Sequence, residues 1–190
     1  MRLKRFALPV AAVVATALAA GPVLAQGDGE APSVRSVPAP EALQPVYLEA
    51  EDLLPALESF DAPGERQPGV AFARRVNADD VASGNAQVVL TNEDVGTRLT
   101  LRFDVPASGA YNVTTRLVRG TSAAIVQPQI DGRALGSPID LYAAEAGYVE
   151  TLIGRIELAR GDHTFTLAVT GKADASGGLG AGLDYLSLEP

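Results

Sequence analysis

Glu49 and Glu51 stand two apart in the stretch from Val46 to Asp52, VYLEAED. Residues at i and i+2 of an extended chain share a face. The spacing therefore predicts two carboxylates projecting side by side from one strand. Near the other end, Gly182 to Glu189 reads GLDYLSLE and carries Asp184 among apolar residues. Should these first and last strands pair, three carboxylates converge. Like charges that close repel one another unless a hard cation or a proton offsets them. Two readings of the glutamate pair are open from spacing: a solvated strand face, or the anionic side of a cation site.

Catalytic chemistry has little else to use. The chain has one histidine, His163, and no cysteine, so no thiol nucleophile exists. A Ser-His-Asp arrangement has only His163 to be built on. That residue opens a strand directly after the Gly161-Asp162 turn, where it reads as a polar strand-end group satisfying the turn. Glycoside hydrolysis needs two carboxylates about 5–9.5 Å apart across a cleft. Acids are plentiful, but no spacing singles out such a pair. The expectation is a non-catalytic protein.

The elements that must position these groups begin after an address. Arg2, Lys4 and Arg5 form a positive start, and Phe6 to Ala20 is apolar. Val23-Leu24-Ala25 then offers small residues for a signal peptidase. The apolar run is shorter than the ~20 residues a membrane span needs, so residues 1–25 read as a cleaved signal peptide. No cysteine follows to take a lipid. The expected location is periplasmic or secreted, without membrane insertion. Cleavage leaves 165 residues (190 − 25), enough for one domain with a substantial core. Export without cysteine leaves stability to the core, alone or with a metal, because no disulfide can form.

Removing the leader's three cations changes 15 bases against 23 acids to 12 against 23, and the net charge from −8 to −11. A surface that acidic repels phosphate backbones, so a nucleic acid partner is not expected. It suits neutral polymers and cations, and also plain solubility. Residues 26–45 hold four prolines and two glycines with no apolar periodicity, the composition of a disordered tail or linker.

From Val46 the signal is alternation with period two. Leu99, Leu101, Phe103 and Val105 alternate with Arg98, Thr100, Arg102 and Asp104. Tyr111, Val113, Thr115 and Leu117 form the next apolar face, and Phe165, Leu167 and Val169 another. Asp131-Gly132 signals a hairpin, since both positions tolerate positive φ. Further strands are expected near residues 70–76 and 86–91, nine or ten in all, with a helical turn or two within 53–60. Many short strands with glycine and proline turns imply an all-β antiparallel sandwich of jelly-roll type over residues 46–190.

Five segments in order also resemble a known family. They are the E-A-E start at Glu49 to Glu51, Val105 to Val113 (VPASGAYNV) read as a hairpin turning at Pro106 to Gly109, Ile130-Asp131-Gly132, Leu158 to Thr164 (LARGDHT), and the Gly182 to Leu186 end. Pro138 to Tyr142 and Gly171 to Ser176 add marks of a subgroup found as accessory domains of secreted bacterial proteins. Together they are similar to calcium-containing carbohydrate-binding modules with a galactose-binding-like β-sandwich. The resemblance implies that Glu49, Glu51 and Asp184 ligate a structural calcium. Calcium takes six to eight oxygens, so backbone carbonyls of the loop from Asn77 to Gly84 would complete the shell.

The resemblance further implies sugar binding on aromatic platforms in the loops. Here the chain departs from the pattern, with no tryptophan and five tyrosines. Tyr148 falls where the family often places a tryptophan and is the candidate platform. Asn92 and Lys172 are candidate hydrogen-bonding partners. The expected function is a non-catalytic binding module for a polysaccharide or glycan. The alternative is a structural or protein-binding sandwich of the cell envelope. One bare ring in a concave rim favours sugar, and a flat apolar patch favours a protein partner.

Overall fold

A computed structural model of the chain describes residues 42–61, 73–77, 81–90 and 94–190. The leader, most of the 26–45 segment and Asn92 lie outside the described residues. Among the described residues, twelve strands form two six-stranded sheets of antiparallel ladders. The first runs β10 (Gly147–Leu158), β6 (Gly109–Arg119), β12 (Ala181–Glu189), β4 (Ala86–Leu90), β3 (Ala73–Asn77), with β1 (Val46–Glu49) also on β12. The second runs β2 (Leu57–Asp61), β5 (Arg98–Val105), β11 (Gly161–Gly171), β7 (Ile125–Ile130), β8 (Arg133–Ala134), with β9 (Ile139–Asp140) on β7. Among the described residues, no helix is long and apolar enough to cross a membrane.

The core lies between the sheets and takes the apolar faces that alternation marks out. Leu99, Leu101, Phe103, Val113, Leu117, Phe165, Leu167 and Val169 are all buried there. In β11 both faces are covered, because Thr166 and Ala168 are buried as well. The strand is central between β5 and β7, and these small side chains are shadowed by longer neighbours. Thr166 meets Thr100 across the ladder at 3.0 Å. Leu43, in the stretch read as a tail, packs against the core beside Gly109.

Three local readings need correction. The segment Pro106 to Gly109 does not close a hairpin, because β5 and β6 belong to different sheets. It is a corner that carries the chain across the sandwich. The buried Tyr111 hydroxyl pins it by donating to the Ala107 carbonyl at 2.7 Å. Residues 57–60, the end of the 53–60 stretch expected to hold a helical turn or two, belong to β2 and pair with β5. The chain turns into that strand through one helical turn, α1 (Ala50–Leu53), and a short 3-10 turn over 54–56. Glu51 therefore sits in α1 and not on a strand beside Glu49, since the buried Ala50 draws the chain into the core at that point.

Candidate functional site

The first and last strands pair, with Val46 opposite Leu188 and Glu49 opposite Tyr185. Asp184 reaches the same neighbourhood through a bulge. Against β6, Leu183 faces Leu117 and Tyr185 faces Arg116, so Asp184 is the extra residue. A bulge slips the alternation by one. Leu183 and Leu186, three apart, both remain in the core. Asp184 is released toward Arg116, yet it is fully buried.

Ser83 and Gly84 tie the three acids together. The Ser83 amide donates to Asp184 Oδ1 at 2.9 Å, and the Ser83 hydroxyl donates to Glu49 Oε1 at 2.6 Å. Gly84 has φ of +57°, and a Cβ there would lie 2.8 Å from Glu51 Oε1 and 3.5 Å from the Glu49 carboxyl carbon. Only glycine accepts both that backbone and that contact. The residues of the sequence-based trio thus gather around one loop. Asp184 differs from the glutamates, because its Oδ2 accepts from Arg116 Nη1 at 2.5 Å. Burial raises the Asp184 pKa above the usual carboxylate value, opposed by the Arg116 and Ser83 bonds and reinforced by the Glu49 charge.

Calcium is the group that the family likeness implies here. Among the described residues, no group of three or more His, Cys, Asp or Glu is arranged to hold a metal. Two carboxylates remain, and Glu49 Oε2 is a buried oxygen with no hydrogen-bond donor. A buried acceptor left in that state is costly, and a hard cation is the partner whose chemistry suits it. The chemistry of Glu49 and Glu51 fits such a cation, while residues 78–80 of the loop expected to add main-chain oxygens lie outside the described residues. Asp184 is already engaged by a guanidinium.

Arg116 continues the chain of contacts. Its Cζ lies 4.1 Å from the centroid of the Tyr148 ring, within cation–π range. The Tyr148 hydroxyl donates to Gln87 Oε1 at 2.7 Å. Gln87 is on β4, across β6 and β12 from Tyr148 on β10. Tyr148 thus lies along the sheet face, half-buried, and is not a bare ring on a rim. Burial raises its pKa, and Asp184 adds to the effect while Arg116 opposes it. Tyr47 and Tyr185 stand on the same face with ring centroids 4.8 Å apart. Tyr185 donates to Glu150 Oε2 at 2.5 Å.

Beside Tyr148 lies an open cleft of about 210 Å³, lined by strand and loop residues including Val89, Val118, Arg119, Ser122 and Gly180. Gly147 and Tyr148 pair with Arg119 and Val118, so the ring adjoins this cleft. The two subgroup segments do not line it but hold two residues that do, Ala123 and Arg119. Ser176 Oγ donates to the Ala123 carbonyl at 2.7 Å, and Arg119 Nη2 donates to the Tyr142 carbonyl at 3.3 Å. Lys172, a candidate ligand contact, is exposed, and its Nζ donates to the Ser176 carbonyl at 3.1 Å. Asn92, the other candidate contact, lies outside the described residues. Sequence reasoning placed the loop of Ser83 at the acids but missed Arg116, which carries no motif and meets Asp184 only through the bulge.

His163 occupies the opposite sheet. Nδ1 meets Asp131 Oδ2 at 2.7 Å and Nε2 meets the Ala159 carbonyl at 2.8 Å. Both partners are acceptors, so the ring satisfies both by carrying two protons. Partial burial acts to lower its pKa, but the Ala159 and Asp131 bonds outweigh it and leave the pKa raised. For Asp131, burial acts upward, and the Thr164 and His163 bonds outweigh it to leave the pKa lowered. The pair pins the β7–β8 hairpin, whose Asp131 and Gly132 have φ of 49° and 73°.

The sign of its pH dependence follows. A raised histidine pKa contributes stability that is full below the usual 6.5 and lost as pH rises through the folded value. A lowered carboxyl pKa contributes stability that is lost only well into acid, below the usual 3.8. The melting temperature of the wild type should therefore fall from pH 6.5 upward relative to His163→Gln. Parallel curves for the two proteins between pH 6 and 9 would refute this.

No protein-family model matches the chain, and no curated protein matches it. Among solved structures it is similar to a Paenibacillus xanthan lyase, with 27% identity and a TM-score of 0.66 over 80% of this chain and 14% of that one. A family 35 carbohydrate-binding module from an environmental isolate matches with 16% identity and a TM-score of 0.51, over 76% of this chain and 93% of that one. A Podospora anserina GH26-CBM35 β-(1,4)-mannanase matches with 15% identity and a TM-score of 0.51, over 77% of this chain and 27% of that one. The chain spans a small part of the two enzymes and nearly the whole of the isolated module. Its described domain has the two-sheet β-sandwich fold of the family 35 module and of the matching part of the xanthan lyase.

Proposed function

We propose that the protein is an exported, non-catalytic carbohydrate-binding module whose sugar site is the loop cleft beside Tyr148, with a structural calcium at Glu49 and Glu51. The observation that carries this reading is the cleft itself. Loops from both sheets meet there over a concave surface, and an aromatic ring adjoins it. A pyranose offers an apolar face for the ring and hydroxyls for the polar rim. The absence of catalysis is supported by His163, whose two ring nitrogens are both engaged in holding a turn. The protein-partner alternative draws less support. Leu152 and Tyr47 are exposed on one cross-strand row, but Thr114 and Ser187 separate them, so they form no continuous apolar patch.

One ring gives little stacking surface, so affinity should be weak, on the order of millimolar, or about −4 kcal/mol. Affinity electrophoresis against neutral polysaccharides, followed by titration with the retarding sugar, tests it. Tyr148→Ala is expected to abolish retardation. It should also cost about 1 kcal/mol of stability, because the ring holds Gln87 and lies under Arg116. Tyr148→Phe keeps the stacking face and should keep most of the binding. Undiminished retardation of Tyr148→Ala would remove the ring from the site.

A further inference from the structure

We infer that Arg116 is a resident counter-charge that competes with a divalent cation at Glu49 and Glu51, and that cation binding loosens its cover over the Tyr148 ring. The inference takes the cation from the function proposed above; its link to Tyr148 stands without any sugar.

The contacts form one continuous path. Glu49 and Asp184 are bound by the hydroxyl and the amide of the same residue, Ser83. A cation at Glu49 therefore comes close to Asp184. Asp184 is held by Arg116, and Arg116 lies over Tyr148. The Arg116 guanidinium is attracted by the negative field of Asp184 and its neighbour Glu49. A divalent cation cancels that field and repels the guanidinium. A second acid stands close by: Glu150 is directly opposite Arg116 on β10, exposed, on the same sheet face, and one of its oxygens accepts from the Tyr185 hydroxyl. Arg116 thus holds one carboxylate, Asp184, and faces a second across the ladder, Glu150. The cation shifts the balance toward Glu150, and the Tyr148 ring gains free surface next to the cleft. Coupling of this kind is reciprocal, with each ligand changing the other's affinity by the same factor.

Calcium titration by calorimetry into metal-stripped protein tests the competition. Arg116→Gln is expected to bind calcium about tenfold more tightly than the wild type, within the usual range of coupling. Arg155→Gln, which removes the same charge from an arginine that meets Asn112, should match the wild type. Equal affinities for the two variants would overturn the competition. Binding by Arg116→Gln alone would support it in its strongest form. No binding by any of the three would overturn both the calcium reading and this inference.

The wild type supplies a second readout that needs no variant to fold. Nitration of Tyr148 by tetranitromethane, mapped by mass spectrometry, should rise severalfold on calcium saturation. Arg116→Gln should show the high rate with or without calcium. Unchanged nitration of Tyr148 in a calcium-saturated wild type would overturn the link to the ring. Loss of polysaccharide retention with both readouts positive would instead sink the carbohydrate reading and leave the coupling standing.

Discussion

Phe103→Ala is expected to lower the stability of the domain by about 3–5 kcal/mol, the sum of lost transfer energy and the cavity left behind. Phe103 is 3% exposed, lies on the inner face of β5 and meets the His163 ring with centroids 5.8 Å apart. Its neighbours Leu101 and Val105 are equally buried and cannot close the gap without moving both sheets. For a domain of this size the midpoint of thermal unfolding should fall on the order of 10 °C. Arg102, next in the chain, is exposed on the other face and pairs with Glu58. Arg102→Ala should leave the midpoint nearly unchanged, since exposed ion pairs contribute little. Similar losses for the two variants would contradict the division of β5 into an inner and an outer face.

Asp184→Ala is the second large effect, at about 3 kcal/mol. Asp184 is fully buried, and both of its oxygens are used, one by the Ser83 amide and one by Arg116. Breaking a buried pair from one side costs about 3–5 kcal/mol, because a charge is left without its partner. The Arg116 side chain is 21% exposed, so its stranded charge recovers some water and the effect falls at the lower end. Asp184→Asn retains an acceptor for Ser83 and should lose less. Urea denaturation of the two variants separates the terms. If Asp184→Asn proves as damaging as Asp184→Ala, the charge and not the Ser83 bond carries the stabilisation. A loss under about 1 kcal/mol for both would show that the bulge tolerates the acid and gains nothing from it.

The sequence by itself determined the fold class and the identity of the core. Strict alternation in residues 98–105 and 109–119 leaves only one face of each strand fit to meet an apolar layer, and period two admits no other register. The same signal failed at β11, where burial of the outer face depends on which strands flank it. It also failed at Pro106 to Gly109, since a four-residue corner and a hairpin loop look alike until the partner sheet is known. Asp131-Gly132 was legible because positive φ at both positions is a local demand that few residues meet.

Gathering of the acids was readable only in outline. Glu49, Glu51 and Asp184 can be named from the sequence, but their arrangement is a matter of long-range pairing. A helical turn delivers Glu51, and a one-residue bulge in β12 releases Asp184 toward Arg116. Bulges arise from the fit between two strands and leave no period in either sequence. Tyr148 shows the same division. Its type announced a ring with a polar tip, while its placement flat across the sheet was decided by Gln87 and Arg116, about 61 and 32 residues away along the chain and adjacent only once β4, β12, β6 and β10 lie side by side.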